Sequence, residues 1–247
     1  MMRTICRFNL RYPVSANTSV IPVAYPELSC SDWFLLLTTT QQRALLQECK
    51  PVSLIQRQYL FHRGDAFNGL FVLLRGSLWI SGLDSTGREI GLTVIKPGEW
   101  FGEIALFDGQ SRTHDVLASE PCRLLRIPAD SLYNLLDNDP QWWQCFGQLL
   151  TAKVRVLFQS IEDRSQPRSD VRLARKLYEL VLRAPDNDGV TTLTMGQEQL
   201  GLLLSLSRQK TNQQLKHLES LGILDLAYGK ITVLSTAKLK DFAQVSN

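Results

Sequence analysis

Nine of the fifteen glycines crowd between Gly64 and Gly109, four to seven residues apart. A long helix does not survive that spacing, because each interior glycine costs about 1 kcal/mol relative to alanine. Between and just beyond the glycines lie short runs of β-formers, at 54–61, 70–74, 78–80, 90–95, 116–118 and 124–127. Short strands with glycine-bearing turns predict an all-β sandwich or roll here. Asp84-Ser85-Thr86-Gly87 reads as a hairpin turn, since glycine takes a positive φ without strain.

Helical patterning brackets that stretch. Ser31 and Asp32 can cap a short helix through Trp33, Leu35 and Leu36, and a second helical piece covers 41–49. After Pro128 a short helix over 129–136 leads to a longer one that begins past Pro140. On it Phe146, Leu150, Val154, Leu157 and Ile161 recur at spacings of 4, 4, 3 and 4, close to a coiled-coil seam, with Leu149 and Val156 widening the stripe. Such a helix either packs on its own β domain or pairs with a twin. The polar run 162–169 ends it by Pro167 and marks a domain boundary. Beyond come a helix over 171–182 and a loop over 185–189. Thr194 and Gln197 have capping-box spacing just ahead of Leu200. Ser205-Leu206-Ser207 is a tight break, Ser207 caps a helix over 208–221, and Gly222 stops it. Residues 223–234 read as two short strands around Tyr228-Gly229-Lys230. The C-terminal order is therefore helix, tight turn, helix, hairpin, the winged helix-turn-helix arrangement.

Charge is distributed unevenly. Residues 166–247 hold 11 Lys and Arg against 8 Asp and Glu, whereas residues 1–165 hold 16 of each, so the whole net charge of +3 sits in the last third. A basic C-terminal part beside a neutral one suits an anionic partner for that part alone. Five cysteines (6, 30, 49, 122 and 145) lie far apart, which excludes a CxxC metal knuckle, a clustered iron–sulfur motif and a dense disulfide framework. A reduced cytoplasmic setting is expected. Apolar runs are too short for a membrane span. Residues 1–28 carry Arg3, Arg7 and Arg11 with no acid before Glu27, and are expected to form a loosely ordered arm. Three dispersed histidines (62, 114 and 217) and the absence of GxSxG, HExxH and GxxxxGK[ST] leave no catalytic constellation, and no metal is expected.

Chemistry concentrates in two places. In Phe101-Gly102-Glu103-Ile104-Ala105-Leu106, Gly102 admits close approach of backbone to a ligand and Glu103 is an acceptor suited to a sugar hydroxyl. Arg112 and Thr113 follow, offering a planar donor fork and a hydroxyl to a phosphate. The second place is the helix that Ser207 caps. Leu206, Thr211, Leu215, Leu218 and Leu221 fall on one face, and Arg208, Gln209, Asn212, Gln213 and Lys216 on the other. Arginine can bond guanine O6 and N7, and glutamine or asparagine adenine N6 and N7.

The 101–106 segment with Arg112-Thr113 resembles the phosphate-binding cassette of cyclic-nucleotide-binding domains. Residues 194–234 are similar to the winged helix of the Crp/Fnr superfamily of bacterial transcription regulators, and order and spacing agree from about Leu35 to Leu234. The resemblance implies an α+β chain: an N-terminal double-Greek-key β-roll over 29–138, a dimerisation helix and hinge over 139–166, and a winged helix-turn-helix DNA-binding domain over 167–247. It implies a homodimer on a two-fold symmetric operator in double-stranded DNA, with RNA polymerase a candidate partner. The cassette positions Gly102, Glu103, Ile104 and Ala105 would hold the ribose side of a cyclic nucleotide such as cyclic AMP, and Arg112 and Thr113 its phosphate. Ser207, Arg208, Gln209, Lys210, Asn212, Gln213 and Lys216 would face DNA, with Arg208, Gln209 and Gln213 reading bases and Lys210 near phosphates. Leu157 and Phe158 stand where the cyclic AMP receptor protein has the polar pair that meets adenine. The alternative is therefore a regulator of the same fold that senses another ligand or none. A metal-dependent, cupin-like enzyme on the β-roll is the remoter reading.

Overall fold

The computed structural model describes residues 25–165, 168–182, 190–193 and 195–244. Eight strands build the N-terminal roll: β1 (Lys50–Leu54), β2 (Tyr59–Phe61), β3 (Gly69–Arg75), β4 (Leu78–Leu83), β5 (Glu89–Ile95), β6 (Trp100–Phe101), β7 (Asp115–Ala118) and β8 (Cys122–Pro128). They form two antiparallel four-stranded sheets, ordered β1-β8-β3-β6 and β2-β7-β4-β5. That order is the double Greek key of a jelly roll. Side chains alternate across each sheet. Phe61, Phe71, Leu73, Leu78, Ile95, Phe101, Val116 and Leu124 therefore meet inside the roll.

The run 54–61 is not one strand. Ile55 and Gln58 close a turn in which Arg57 takes φ +66°, separating β1 from β2. The hairpin at Asp84 forms as read: Asp84 Oδ1 accepts from the Thr86 and Arg88 N–H groups, and Gly87 has φ +79°.

A second core lies on the outer side of the β3-containing sheet, where α1 (Asp32–Leu36), α2 (Thr39–Gln47), α4 (Ala129–Asn138) and the start of α5 (Gln141–Ser165) pack. Short α3 (Ile104–Asp108) follows β6. Ser31 is the N-cap of α1 but makes no side-chain cap bond, whereas Thr38 and Gln41 form a complete capping box on α2. The boundary expected after residue 28 falls inside a packed element: Pro26–Cys30 is a 3-10 turn and Leu28 is fully buried. Residues 1–24 lie outside the described residues.

α5 has two characters. Trp142, Phe146 and Leu149 are buried on the roll, while Val154, Val156, Leu157, Phe158 and Ile161 are exposed. The first half thus packs on its own roll, and the second half leaves its apolar stripe exposed.

The C-terminal part comprises α6 (Ser169–Leu182), β9 (Thr191–Leu193), α7 (Gln197–Leu204), α8 (Arg208–Ser220), β10 (Leu224–Ala227), β11 (Lys230–Val233) and α9 (Thr236–Ala243). Its sheet runs β10-β11-β9. β9 and α9 add to the elements read from sequence. The expected loop over 185–189 lies outside the described residues, as does Thr194. The cap of α7 is instead Gly196, whose N–H donates to Gln199 Oε1 at 3.1 Å. No helix among the described residues is long and apolar enough to cross a membrane.

Candidate ligand and nucleic-acid sites

The cassette begins where β6 ends. Gly102 has φ +97°, and a Cβ there would stand 2.8 Å from Arg112 Nη1, so glycine meets both the backbone conformation and the space. Arg112 is 4% exposed and its fork is filled from the chain itself. Nη1 donates to Gly102 O at 3.0 Å, and Nη2 to Gly69 O and Asn68 Oδ1, each at 2.6 Å. The guanidinium carbon lies 4.3 Å from the Phe61 ring centroid, with Phe67 and Phe71 also beside it. Arg112 Nε is buried with no hydrogen-bond partner among the described residues. Burial pushes the guanidinium down to about 10, opposed by the charges of Glu103 and Asp65. It stays cationic at neutral pH, and its bonded acceptors are carbonyls rather than carboxylates. A buried cation of that kind favours an anion that can reach it.

Glu103 is 2% exposed and pairs with Lys153 Nζ, from α5, at 2.7 Å. Sequence reading missed this lysine. It lies 50 residues from its partner, and an ion pair at that separation leaves no local signature. Asn68, Gly69 and the three phenylalanines were missed for the same reason. Of the other expected cassette residues, Ala105 is buried while Ile104 and Thr113 are exposed. Gly102, Glu103 and Arg112 are therefore brought together, with Thr113 facing solvent beside them. Among the described residues no group of three His, Cys, Asp or Glu is placed to hold a metal ion.

At the other end of the molecule, Ser207 Oγ accepts from Lys210 N–H at 3.2 Å and caps α8. Ser205, in the left-handed region at φ +53°, makes the tight turn between α7 and α8. Gly201 permits the helices to cross, since a Cβ there would meet Thr211 Oγ1 at 2.9 Å and Leu206 O at 3.1 Å. Thr211, Leu215 and Leu218 are fully buried, whereas Leu221, assigned to that face from sequence, is exposed. Gly222 ends the helix at φ +64°. Arg208, Gln209, Lys210, Gln213 and Lys216 are exposed. Arg208, Gln209, Asn212 and Gln213 line one open groove of about 570 Å³. Asn212 is half-buried and donates to Gln197 Oε1 at 3.1 Å, so its amide ties α8 to α7 here.

A double-Greek-key roll with an arginine cassette, a long helix and a winged helix-turn-helix with an open polar face together define a DNA-binding regulator. Residues 51–139 match the cyclic nucleotide-binding domain, and residues 171–242 match the Crp-like helix-turn-helix domain. The chain belongs to the Crp/Fnr family of transcription regulators. It is 24% identical over 198 residues to a CRP-like cAMP-activated global transcriptional regulator of Mycobacterium tuberculosis, covering 79% of this chain and 88% of that protein. It is 25% identical over 200 residues to the cAMP-activated global transcriptional regulator Vfr of Pseudomonas aeruginosa, covering 78% and 92%. A CRP/FNR-family regulator from Thermus thermophilus superposes with a TM-score of 0.66 at 25% identity, covering 80% of this chain and all of that one.

Proposed function

We propose that the protein is a homodimeric regulator that reads a two-fold symmetric operator with α8 and is controlled by a small anionic ligand in the β-roll. The single observation that carries the ligand reading is Arg112: a buried guanidinium with an orphaned Nε and no bonded carboxylate. The ligand class proposed is a cyclic nucleotide, with Arg112 and Thr113 on its phosphate and Gly102, Glu103, Ile104 and Ala105 on its sugar side. The relatives described as cAMP-activated support that class, and cyclic AMP is the first nucleotide to try. Binding would draw Arg112 and Lys153 out of their present bonds. Because Lys153 belongs to α5, a ligand that takes Glu103 also changes what holds α5 to the roll. A ligand moves the two arrangements only by its difference in affinity for them.

The dimer reading rests on the exposed Val154, Leu157 and Ile161, which lie on the heptad seam of α5, with Phe158 exposed beside them. A second reading, a regulator that needs no nucleotide, is favoured by one observation: Glu103 and Arg112 already have protein partners. We place α8 in the major groove, with Arg208, Gln209 and Gln213 on bases, Lys210 and Lys216 toward phosphates, and RNA polymerase as a further partner at the promoter. No chemical step is assigned, and the cytoplasm is the proposed location.

The test is operator affinity with and without cyclic AMP, for the wild type and Arg112→Ala. The proposal expects cyclic AMP to change wild-type affinity and to leave the variant unchanged. An unchanged wild type would favour the nucleotide-independent reading.

A further inference from the structure

The strand alternation that sends Leu78 and Ile80 into the roll turns Trp79 outward. An outward tryptophan on a roll faces water, yet Trp79 is 3% exposed. It belongs, with Val94 of β5, to the same apolar cluster as Leu173 and Leu177 of α6 and Leu200 and Leu203 of α7. The outer face of the β4–β5 hairpin is therefore covered by the DNA-binding domain. Three features fit the two surfaces together. Gly91 on β5 has no side chain where a Cβ would stand 2.4 Å from the Trp79 ring and 3.2 Å from the Leu203 backbone nitrogen. Glu89 Oε1 accepts from Trp79 Nε1 at 3.0 Å and fixes the indole. Lys96 Nζ, just past β5, donates to Leu180 O in the last turn of α6, where the end of a helix favours a cation. Of the eight residues of α7 only Glu198 is exposed, whereas Arg208, Gln209 and Gln213 on α8 remain open.

We propose that the outer face of β4–β5 is a docking platform that holds the DNA-binding domain with its reading face free, and that Trp79 is its positioning residue. The docked form is the DNA-competent one, because docking uses α7 and the end of α6 and leaves α8 open. The inference rests on the reading of α8 as the DNA-reading helix. It adds a route by which the roll sets the direction of that helix besides the dimer seam of α5.

Full-length wild type, Trp79→Ala, Gly91→Val, Lys96→Met and the conservative Trp79→Phe would be compared by amide hydrogen exchange and by affinity for a duplex recovered by binding selection. In Trp79→Ala, Gly91→Val and Lys96→Met, amides of 89–95 and 197–206 should exchange faster together while those of 70–74 in the roll core stay protected. Their duplex affinity should fall by about tenfold, the scale of an ordinary coupling between sites. Trp79→Phe should keep both properties near wild type. Unchanged exchange in Lys96→Met and Gly91→Val would refute the docking. Faster exchange with unchanged or tighter duplex binding would refute the claim that the docked form is the competent one. Failure of the wild type to select any duplex, with the exchange result as expected, would locate the failure in the reading of α8.

Discussion

Arg112 shows how one side chain serves structure and recognition at once. Its fork satisfies two backbone carbonyls and the Asn68 amide, and three phenyl rings surround it. Arg112→Lys keeps the charge but not the fork, so buried acceptors at Gly69 and Gly102 lose donors. Denaturant unfolding should show a loss of about 1–3 kcal/mol. A variant as stable as wild type would mean that the fork is not holding β3 to the cassette. Asp84 provides a pH-dependent counterpart. Hydrogen bonds from the Thr86 hydroxyl and then from the Arg88 and Thr86 N–H groups hold its carboxyl down to about 2, against an ordinary 3.8. A lowered acid supports the fold fully above its unfolded value, and that support is lost as pH falls through the folded one. The hairpin over 83–88 should therefore stay ordered at pH 4 and loosen only near pH 2. Carboxyl titration by NMR checks this, and a midpoint near 4 for Asp84 would contradict it.

Elements differ in how far the sequence disclosed them. Most strands of the roll were legible because glycine spacing and β-branched runs are local signals, but the two-residue β6 and all of β1 before Leu54 were not. The break inside 54–61 was not, since Arg57 supplies the left-handed turn that a glycine would have announced. Helix α8 was legible from Ser207 to Gly222, as cap, apolar stripe and stop all lie within one window. Only the outermost turn misled, where Leu221 is the C-cap and exposed rather than buried. The spacing of Thr194 and Gln197 predicts a capping box whose first residue lies outside the described residues, whereas the N-cap of α7 is Gly196, which has no side chain to accept and only donates its N–H to Gln199. Strand β9 and helix α9 were missed because each is short and takes its meaning from tertiary partners: β9 from β11, α9 from α6. In retrospect Ser235, which accepts from the Lys238 N–H at 3.3 Å, was a readable start for α9. At the ligand site, the residues on one chain segment were found and those contributed across the fold were not.

Replacing Arg208 by Ala should cost about 1–3 kcal/mol of operator affinity and relax preference at one base pair. Lys210→Ala should weaken all sequences alike and lower the salt slope by about 1. Competition binding across a salt series separates them, and identical behaviour of the two variants would contradict the division of roles. On α5, Leu157→Glu should break the seam and yield monomers by light scattering, while α5 stays attached to its own roll through Phe146 and Leu149. A dimer that survives this change would mean that the exposed stripe is not the interface.

At the scale of the molecule, the parts follow one logic. A roll closes around Phe71 and Phe101, presents a buried cation at its cassette, and carries a helix whose first half it binds and whose second half it leaves apolar and exposed. The DNA-binding domain sits against the outer face of β4–β5 with its polar helix free. Two such chains joined along α5 would present two α8 helices to one face of a duplex, about 34 Å or one helical turn apart. The most direct measurement is selection of bound sequences from random duplex DNA by the full chain, with Arg208→Ala and Gln213→Ala in parallel. The paired arrangement predicts a recovered motif of two inverted half-sites centred about one helical turn apart, with degenerate positions appearing symmetrically in each variant. Recovery of no symmetric motif, or a motif unaltered by either substitution, would contradict it.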